Sequence, residues 1–294
     1  MTLKTLRRYR SATGLAYAKQ GNGKPIVLIH GVGLRAESWI YQIECLSKSN
    51  TVFTVDMPGH GESDLLESTA GIDQYVNVIA QWVKSEINDS VIVLGHSMGA
   101  MIALNFASRY PHLCLGVAAL NAVYRRTSKA KACVRQRALD IVIHPEAAKP
   151  EAAIERWFSN TTSDVEQEMA ELCKHWLRSA PHQGYAQAYK IFSQNDGPID
   201  AALSGLRVPA LFITGDGDVN SSAKMSQKMS ALCSRGSVAV IANARHMAQM
   251  THSQQINALL KPFICQCTNS QLATNDRFAA NKRAVQGLYK PMHQ

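Results

Sequence analysis

The chain has 294 residues, of which 46% are hydrophobic, and a formal net charge of +9 at pH 7. This length allows one globular domain with an insertion, or two domains at most. No apolar run approaches the roughly eighteen residues of a membrane span, and the basic N-terminus lacks the apolar core of a signal peptide. We therefore expect a cytoplasmic protein without membrane contact, and no segment resembles a nucleic-acid-binding module that would explain the positive charge.

The cysteines are scattered without paired spacing, which favours reduced thiols over a disulfide framework. Cys265 and Cys267 stand close together, but a structural zinc site needs four ligands and no others accompany them. We therefore predict no metal site and no cofactor.

Strand and helix patterns alternate over the first part of the chain. Residues 15–20 alternate weakly and residues 25–29 form a continuous apolar run, so with the glycine-rich turn between them they predict two strands joined as a hairpin. Further strands are predicted at 51–56, 91–94 and 113–120, and a helical pattern follows the second, third and fourth strands. This alternation is typical of a parallel sheet with helices on both faces.

The turn after strand 91–94 reads Gly95-His96-Ser97-Met98-Gly99 and leads directly into a helix. Gly-x-Ser-x-Gly between a strand and a helix is the pattern of a nucleophile elbow, a sharp turn that holds a serine hydroxyl at the carboxyl end of a strand. Glycine on each side is needed because the strand and the helix approach each other closely. The Met98 N–H, at the start of the helix, suits a developing oxyanion.

A helical insertion is predicted from residue 124 to residue 202, where no convincing strand occurs and helical patterns lie at 130–142, 151–159, 164–178 and 184–192. Because sites in open parallel sheets lie at the carboxyl ends of the strands, we interpret this insertion as a cap over the site. The predicted domains are a core of residues 1–123 and 203–264, the cap 124–202, and a C-terminal extension 265–294 in which a short helix is predicted at 275–285.

Two features of the cap have alternative interpretations. The six cations from Arg125 to Arg137 can steer an anionic substrate, but such a run is more often a solvated helix face, and we adopt the second interpretation. Aromatic side chains of the cap can line a pocket, but we assign each to the cap's own core. These are Trp157, Phe158, Trp176, Tyr185, Tyr189 and Phe192.

The sheet pattern resumes with strands at 209–214 and 237–241, each followed by polar residues, and with helices at 221–232 and 254–264. Asp218 follows the first of these strands and His246 the second, so the chain order is Ser97, Asp218, His246, as expected of a sheet enzyme with a nucleophile elbow. An imidazole can take the serine proton and return it to the leaving group, while a carboxylate orients and stabilises the imidazolium.

Asp216 is the competing acid, but it sits directly at the strand end, where a turn role is favoured, so we prefer Asp218. A second oxyanion donor is needed besides the Met98 N–H. Val32, just past His30-Gly31, is the candidate for that backbone N–H.

Five ordered motifs carry a resemblance to the α/β-hydrolase superfamily: HGVG at 30–33, DMPGHGES at 56–63, GHSMG at 95–99, TGDGD at 214–218 and ARHM at 244–247. The chain resembles most the cap-bearing branch of serine esterases, lactonases and carbon–carbon hydrolases. The resemblance implies an α/β fold with a mostly parallel twisted sheet, the triad of Ser97, Asp218 and His246, and oxyanion donors at Val32 and Met98. In some branches the acid follows the earlier strand, where this chain has Asn121.

The function expected from these features is hydrolysis of a small carboxylic ester or lactone through an acyl-enzyme intermediate, by a monomer or homodimer. An alternative within the same fold is hydrolysis of a carbon–carbon bond in a ring-cleavage product. A second alternative is a slow-turnover receptor that senses a ligand and signals to a partner protein.

Overall fold

The computed structural model describes residues 5–143, 150–158 and 163–269. Its central feature is a sheet with strands β1 (Tyr9–Arg10), β2 (Ala16–Gln20), β3 (Lys24–Ile29), β4 (Asn50–Val55), β5 (Val91–His96), β6 (Cys114–Leu120), β7 (Ala210–Gly215) and β8 (Gly236–Ile241). In space these eight strands follow the order β1-β2-β4-β3-β5-β6-β7-β8. Only the β1–β2 and β2–β4 pairs are antiparallel, which confirms the predicted mostly parallel sheet.

The predicted hairpin between residues 15 and 29 is wrong. β2 pairs with β4, with Tyr17 opposite Val55 and Gln20 opposite Val52, and it does not pair with β3. Both edges of β3 carry parallel partners, β4 on one side and β5 on the other. A fully apolar strand belongs in the centre of a parallel sheet, so β2 joins the free edge of β4 instead.

Helices cover both faces of the sheet. They are α1 (Ile40–Leu46), α2 (Ile72–Trp82), α3 (Met98–Arg109), α4 (Ser128–Ile143), α5 (Pro150–Phe158), α6 (Asp164–Ser179), α7 (His182–Gln194), α8 (Asp200–Ser204), α9 (Ala223–Leu232), α10 (Ala248–Thr251) and a final helix at 253–269. Among the described residues, no helix combines the length and the apolar content needed to cross a bilayer.

The core consists of two apolar layers, because successive side chains of a strand point to opposite faces. In β3, Val27 and Ile29 join a cluster that includes Trp82 and Phe106 of the helices on one face. Ile26 and Leu28 join the cluster on the opposite face, which includes Trp39, Ile43, Leu260 and Phe263. Every buried strand therefore contributes to both layers, and this rigid sheet supports the loops at its carboxyl edge.

Helices α4 to α8 form the helical insertion, the segment between β6 and β7. Within it, α4 packs on α7 and α5 packs on α6. The insertion meets the core in a buried cluster that joins Cys173 and Trp176 of α6 to Leu34 and Met247 of the core loops. This contact holds the insertion beside the loops that follow β3 and β8.

The final helix extends five residues beyond its predicted end at residue 264. The extra turn is buried through Cys267, which packs against Gly116 of β6 so closely that a Cβ at Gly116 would overlap its sulfur. The helix predicted at 275–285 lies outside the described residues.

A buried ion cluster connects the N-terminal segment to the loop after β3. Arg8 donates to Glu37 at 2.7 Å and to Asp56 at 2.8 Å, and Asp56 also accepts the Ala36 N–H. Burial would raise the pKa of both carboxyls, but the hydrogen bonds and charge of Arg8 hold each pKa below its usual range. The cluster therefore anchors the loop that carries Val32.

Candidate active site

Ser97 lies at a strained turn between β5 and α3. Its φ is 55° and its ψ is −117°, a conformation that a side-chain-bearing residue rarely adopts. A Cβ at Gly95 would overlap the Gly99 carbonyl, and a Cβ at Gly99 would overlap the Ile29 carbonyl. Glycine is therefore required on both sides of the serine, for the reason that the sequence suggests.

The structure brings the three predicted side chains together. His246 Nδ1 lies 2.9 Å from Asp218 Oδ2, and His246 Nε2 lies 3.2 Å from Ser97 Oγ. All three residues are buried. More than a hundred residues of sequence separate Ser97 from Asp218. With Nδ1–H donating to the carboxylate, Nε2 is left to accept the serine proton.

The surroundings of Asp218 keep its carboxylate charged and fixed in place. Oδ1 accepts the backbone N–H groups of Asn220 and Ser221, and Oδ2 accepts the Asn121 amide at 2.7 Å in addition to His246. Burial would raise the pKa of Asp218, but the charge and hydrogen bond of His246, together with the other donors, hold this pKa below its usual range. The carboxylate can therefore stabilise an imidazolium.

Asp216, the competing acid, is exposed in the same loop and forms no part of this arrangement. Its backbone N–H donates to the Ile241 carbonyl, which places it in the turn after β7. Geometry thus favours Asp218, two residues later, because there the loop has turned toward His246.

Asn121 is a residue of the site whose contribution the sequence did not reveal. It follows β6 with a φ of 51°, and its amide donates to Asp218 Oδ2 and to the Arg245 carbonyl at 3.2 Å. Its place at a strand end was the only available signal. The Asn121 amide links the acid to the segment that carries His246.

The two predicted oxyanion donors belong to segments that adjoin Ser97. Met98 is the first residue of α3, and an N–H in the first turn of a helix has no partner within that helix. Val32 lines the same cavity as Ser97. A Cβ at Gly31, the residue before Val32, would lie 3.1 Å from the Ser97 Cβ, so the loop passes directly beside the nucleophile.

Two buried histidines brace this loop. His60 Nε2 accepts the Gly33 N–H at 3.0 Å, and His30 Nε2 accepts the Met57 N–H at 2.9 Å. Both rings are therefore neutral, with the proton on Nδ1, which faces a backbone carbonyl. Burial lowers the pKa of His30 to about 3 and that of His60 to about 4.

His96 is also neutral and buried, and its Nε2 faces the His246 carbonyl at 2.8 Å. Burial lowers its pKa to about 3, and the neighbouring His246 contributes in the same direction. His96 thus fixes the backbone of His246 and does not itself carry a proton to the serine.

We expect these three histidines to make the fold sensitive to mild acid. Their folded-state pKa values lie below the unfolded value of about 6.5, so their contribution is complete above pH 6.5 and is lost as the pH falls toward 4. Each buried histidine should cost up to about 1.4 kcal/mol of unfolding free energy per pH unit in this window. Urea unfolding measured at pH 7, 6 and 5, above the range of most carboxyl groups, tests this expectation.

His60→Asn should reduce the slope of unfolding free energy against pH, because an asparagine can accept the Gly33 N–H without taking up a proton. His112→Gln is the matched control, since His112 is exposed. A slope that stays unchanged in His60→Asn, or that falls as much in the control, would contradict the assignment.

The triad opens into a cavity of about 260 Å³. Trp157 of α5 lies against His246, with a ring separation of 5.9 Å and an interplanar angle of 30°. The remaining walls come from the loop after β3, the loop after β7 and the helical insertion. Residues lining the cavity are Gly31, Val32, Leu34, His96, Ser97, Val123, Arg126, Ala130, Cys133, Val134, Arg137, Ala153, Arg156, Trp157, Tyr185, Tyr189, Phe192, Val219, Asn220 and His246.

Four aromatic residues assigned from sequence to the interior of the insertion line this cavity, namely Trp157, Tyr185, Tyr189 and Phe192. Phe158 and Trp176 do pack in a buried apolar cluster, as predicted. The last three cavity aromatics share one face of α7, because residues three and four apart on a helix are neighbours.

The interpretation of the basic run as a solvated helix face is wrong in part. Arg125 and Arg135 are exposed, but Arg126 and Arg137 line the cavity, together with Arg156 of α5. The spacing of α4 explains the division, because Arg137 shares a helix face with Ala130 and Val134, whereas Arg135 lies on another face. Only packing against α7 decides which of these faces becomes the cavity wall.

Comparison with known proteins supports the same assignment of fold. The model of a family described as "alpha/beta hydrolase fold" matches residues 24–253. An (E)-2-((N-methylformamido)methylene)succinate hydrolase from Acinetobacter baylyi is 36% identical over 269 residues, covering 90% of this chain and 98% of the relative.

Solved structures with similar folds include a thermophilic esterase from Thermogutta terrifontis, with a TM-score of 0.79 and 22% identity over 89% of this chain and 99% of the esterase. The enol-lactonase from Burkholderia xenovorans LB400 has a TM-score of 0.78 and 21% identity, covering 85% of this chain and 96% of the lactonase. At these identities the likeness concerns the fold alone.

Proposed function

The chain belongs to the alpha/beta hydrolase family, and on that basis we propose that it is a serine hydrolase that cleaves a small carboxylic ester or lactone through an acyl-enzyme intermediate. The single observation that carries the proposal is the position of His246, 2.9 Å from Asp218 and 3.2 Å from Ser97, in the lining of a cavity. A hydroxyl, an imidazole and a carboxylate in this order are the groups that acyl transfer requires.

In the proposed reaction, Ser97 Oγ attacks the carbonyl carbon of the substrate while His246 Nε2 takes its proton. The carbonyl oxygen becomes an oxyanion that the Val32 and Met98 N–H groups stabilise. His246 then returns the proton to the leaving oxygen, and the acyl group stays on Ser97. A water molecule, deprotonated by His246, hydrolyses the acyl-enzyme and restores the serine, while Asp218 stabilises the imidazolium in both steps.

We propose that residues 124–202 act as a cap that shapes the pockets for the acyl and alcohol parts. Trp157, which lies against His246, and the α7 aromatics line the same mostly apolar cavity as Ser97. Its volume of about 260 Å³ lies just below the usual range of ligand pockets, which favours a small substrate.

A second candidate is hydrolysis of an amide instead of an ester. The Acinetobacter baylyi relative is named for a succinate that carries a formamide group, and a formamide carbonyl can be attacked by the same triad. Identity of 36% along almost the whole chain favours this candidate, and so do the cationic residues of the cavity. Assays with formamide-bearing dicarboxylates and with neutral esters and lactones separate the two.

Covalent labelling tests the nucleophile directly. A fluorophosphonate should modify Ser97 alone and release fluoride, because it is the one serine of the described ranges that has an imidazole within hydrogen-bond reach to activate it. Mass spectrometry of peptides from the labelled protein locates the adduct. His246→Ala should slow labelling by about 10³-fold or more, since the general base is then missing.

The urea-unfolded protein is the control, and it should not react because the triad no longer exists. Adduct formation on another serine of the native protein, or equal labelling rates with and without His246, would overturn the proposed nucleophile.

A further inference from the structure

Three arginines from the helical insertion line the cavity. Arg126 precedes α4, Arg137 lies in α4 and Arg156 in α5. Like charges brought together inside a protein are unfavourable unless a counter-charge balances them. The contacts of each guanidinium therefore indicate which of them serves the fold and which is left for a ligand.

Arg126 serves the fold. Its side chain is 2% exposed, and its Nη2 donates to the carbonyls of Phe192 and Asn195, both at 2.9 Å, at the end of α7. Its charge is partly balanced by Asp196, with 3.4 Å between Arg126 Nη1 and Asp196 Oδ1, and Asp196 also pairs with Lys131. Arg126 therefore joins the end of α7 to the segment before α4. Because its charge is only partly balanced, the cavity stays positively charged.

Arg137 and Arg156 are different. Arg137 donates through Nε to the Tyr189 hydroxyl at 3.0 Å, and its two terminal nitrogens have no hydrogen-bond partner within the described ranges. Over residues 5–143, 150–158 and 163–269, neither arginine forms an ion pair with a carboxylate. Both side chains are half-buried, so their desolvation is only partly offset by the protein itself.

Electrostatic effects among the three arginines also indicate that their charge is not fully balanced by the protein. Burial lowers the pKa of Arg126 and of Arg156, and the charge of Arg137 lowers both further. Arg137 is thus close enough to repel its two neighbours. An anion placed between Arg137 and Arg156 would remove this repulsion and supply acceptors for the guanidinium N–H groups that no described residue accepts.

We propose that Arg137 and Arg156 bind a carboxylate of the substrate where the helical insertion lines the cavity, while the carbonyl to be attacked lies at Ser97. This inference rests on the serine hydrolase chemistry proposed above and specifies its substrate class as an acyl compound with an additional carboxylate. The planar fork of a guanidinium matches the two oxygens of a carboxylate. Apolar walls from Val134 and Tyr185 suit the short carbon chain between the two ends.

Binding of succinate to the Ser97→Ala protein tests the subsite without any need for turnover. Isothermal titration calorimetry should detect succinate and show a dissociation constant raised about 10- to 100-fold in Arg137→Gln and in Arg156→Gln, as expected for hydrogen bonds to a charged group. Arg135→Gln is the matched control, because it removes the same charge from an exposed site on α4. It should alter the constant by about twofold at most.

Turnover provides the second measurement. Mono-4-nitrophenyl succinate and 4-nitrophenyl butyrate share a leaving group and have acyl chains of similar size, but only the first has a free carboxylate. The ratio of their kcat/KM values should favour the succinate ester in the wild-type protein, and it should fall about 10-fold or more in Arg137→Gln and in Arg156→Gln. Arg135→Gln should keep the wild-type ratio.

Arg137→Lys and Arg156→Lys keep the proposal testable if the Gln variants fail to fold. Each substitution keeps the positive charge but loses the planar fork of the guanidinium, so each variant should bind succinate with intermediate affinity. Thermal melts identify the variants that fold. The proposal is overturned if folded Gln variants bind succinate as the parent does, if Arg135→Gln weakens binding equally, or if inorganic phosphate binds more tightly than succinate. Full turnover by Ser97→Ala would instead refute the proposed nucleophile and leave the binding result standing.

Discussion

Ser97→Ala is expected to lower kcat by about 10⁴-fold or more while leaving the fold intact. Among the residues that the structure describes, this side chain supplies the only oxygen within hydrogen-bond distance of His246 Nε2, so its removal leaves no nucleophile to form the acyl-enzyme. Alanine keeps the Cβ of serine and can occupy the same turn, since the sharp bend depends on Gly95 and Gly99. Steady-state kinetics on an activated ester and circular dichroism of the same sample provide both measurements.

Ser226→Ala is the matched control for this substitution. Ser226 is also buried, but it lies on α9, away from the cavity, and its hydroxyl has no hydrogen-bond partner among the described residues. Its activity should equal that of the parent. If Ser97→Ala hydrolysed the ester at the parental rate, the proposed function would be wrong.

Asp218→Asn is expected to lower kcat by about 10³- to 10⁴-fold. In the parent, Oδ2 of Asp218 accepts hydrogen bonds from both His246 and Asn121. An asparagine amide in this place has two orientations. With its N–H groups at the Oδ2 position it would face His246, which favours the wrong imidazole tautomer, and the Asn121 amide, where two donors would meet. With its N–H groups at the Oδ1 position it would face the Asn220 and Ser221 N–H donors. It would also remove the negative charge that stabilises the imidazolium in the transition state.

Asp216→Asn is the control, because it makes the same chemical change in an exposed side chain of the same loop. Its kcat should match the parent value, and its unfolding midpoint should change little. A large loss in Asp216→Asn, or a fully active Asp218→Asn, would show that the acid had been assigned to the wrong residue.

Much of the fold could be predicted because its signals are local. Continuous apolar runs predicted the buried strands, and the spacing of apolar residues predicted the helices of the insertion, from α4 to α7, to within a few residues. The elbow could be recognised because its glycines answer a short-range requirement, the contact of β5 with α3. The pairing of β2 could not be predicted in this way. A turn after residue 20 constrains the direction of the next strand, but it does not decide which strand edge is free to pair with β2.

The candidate site was likewise predictable from the sequence only in part. Motif order singled out Ser97, Asp218 and His246, and the structure brings them within hydrogen-bond distance of one another. The Asn121 amide and the cationic cavity wall were not recognised. Neither has a local signature, since an asparagine after a strand and a basic run in a helix occur in many settings without function.

By itself, the sequence determined the strands from β2 to β8, the strained serine turn and the order of the reactive residues, because backbone propensity and hydrophobic period act over a few residues. Only the tertiary structure decided that β2 lies beside β4, that Asp218 faces His246, and that Arg137 turns inward while Arg135 faces solvent. These outcomes depend on which surfaces pack together across long stretches of chain, and packing of α4 against α7 is set by the whole core.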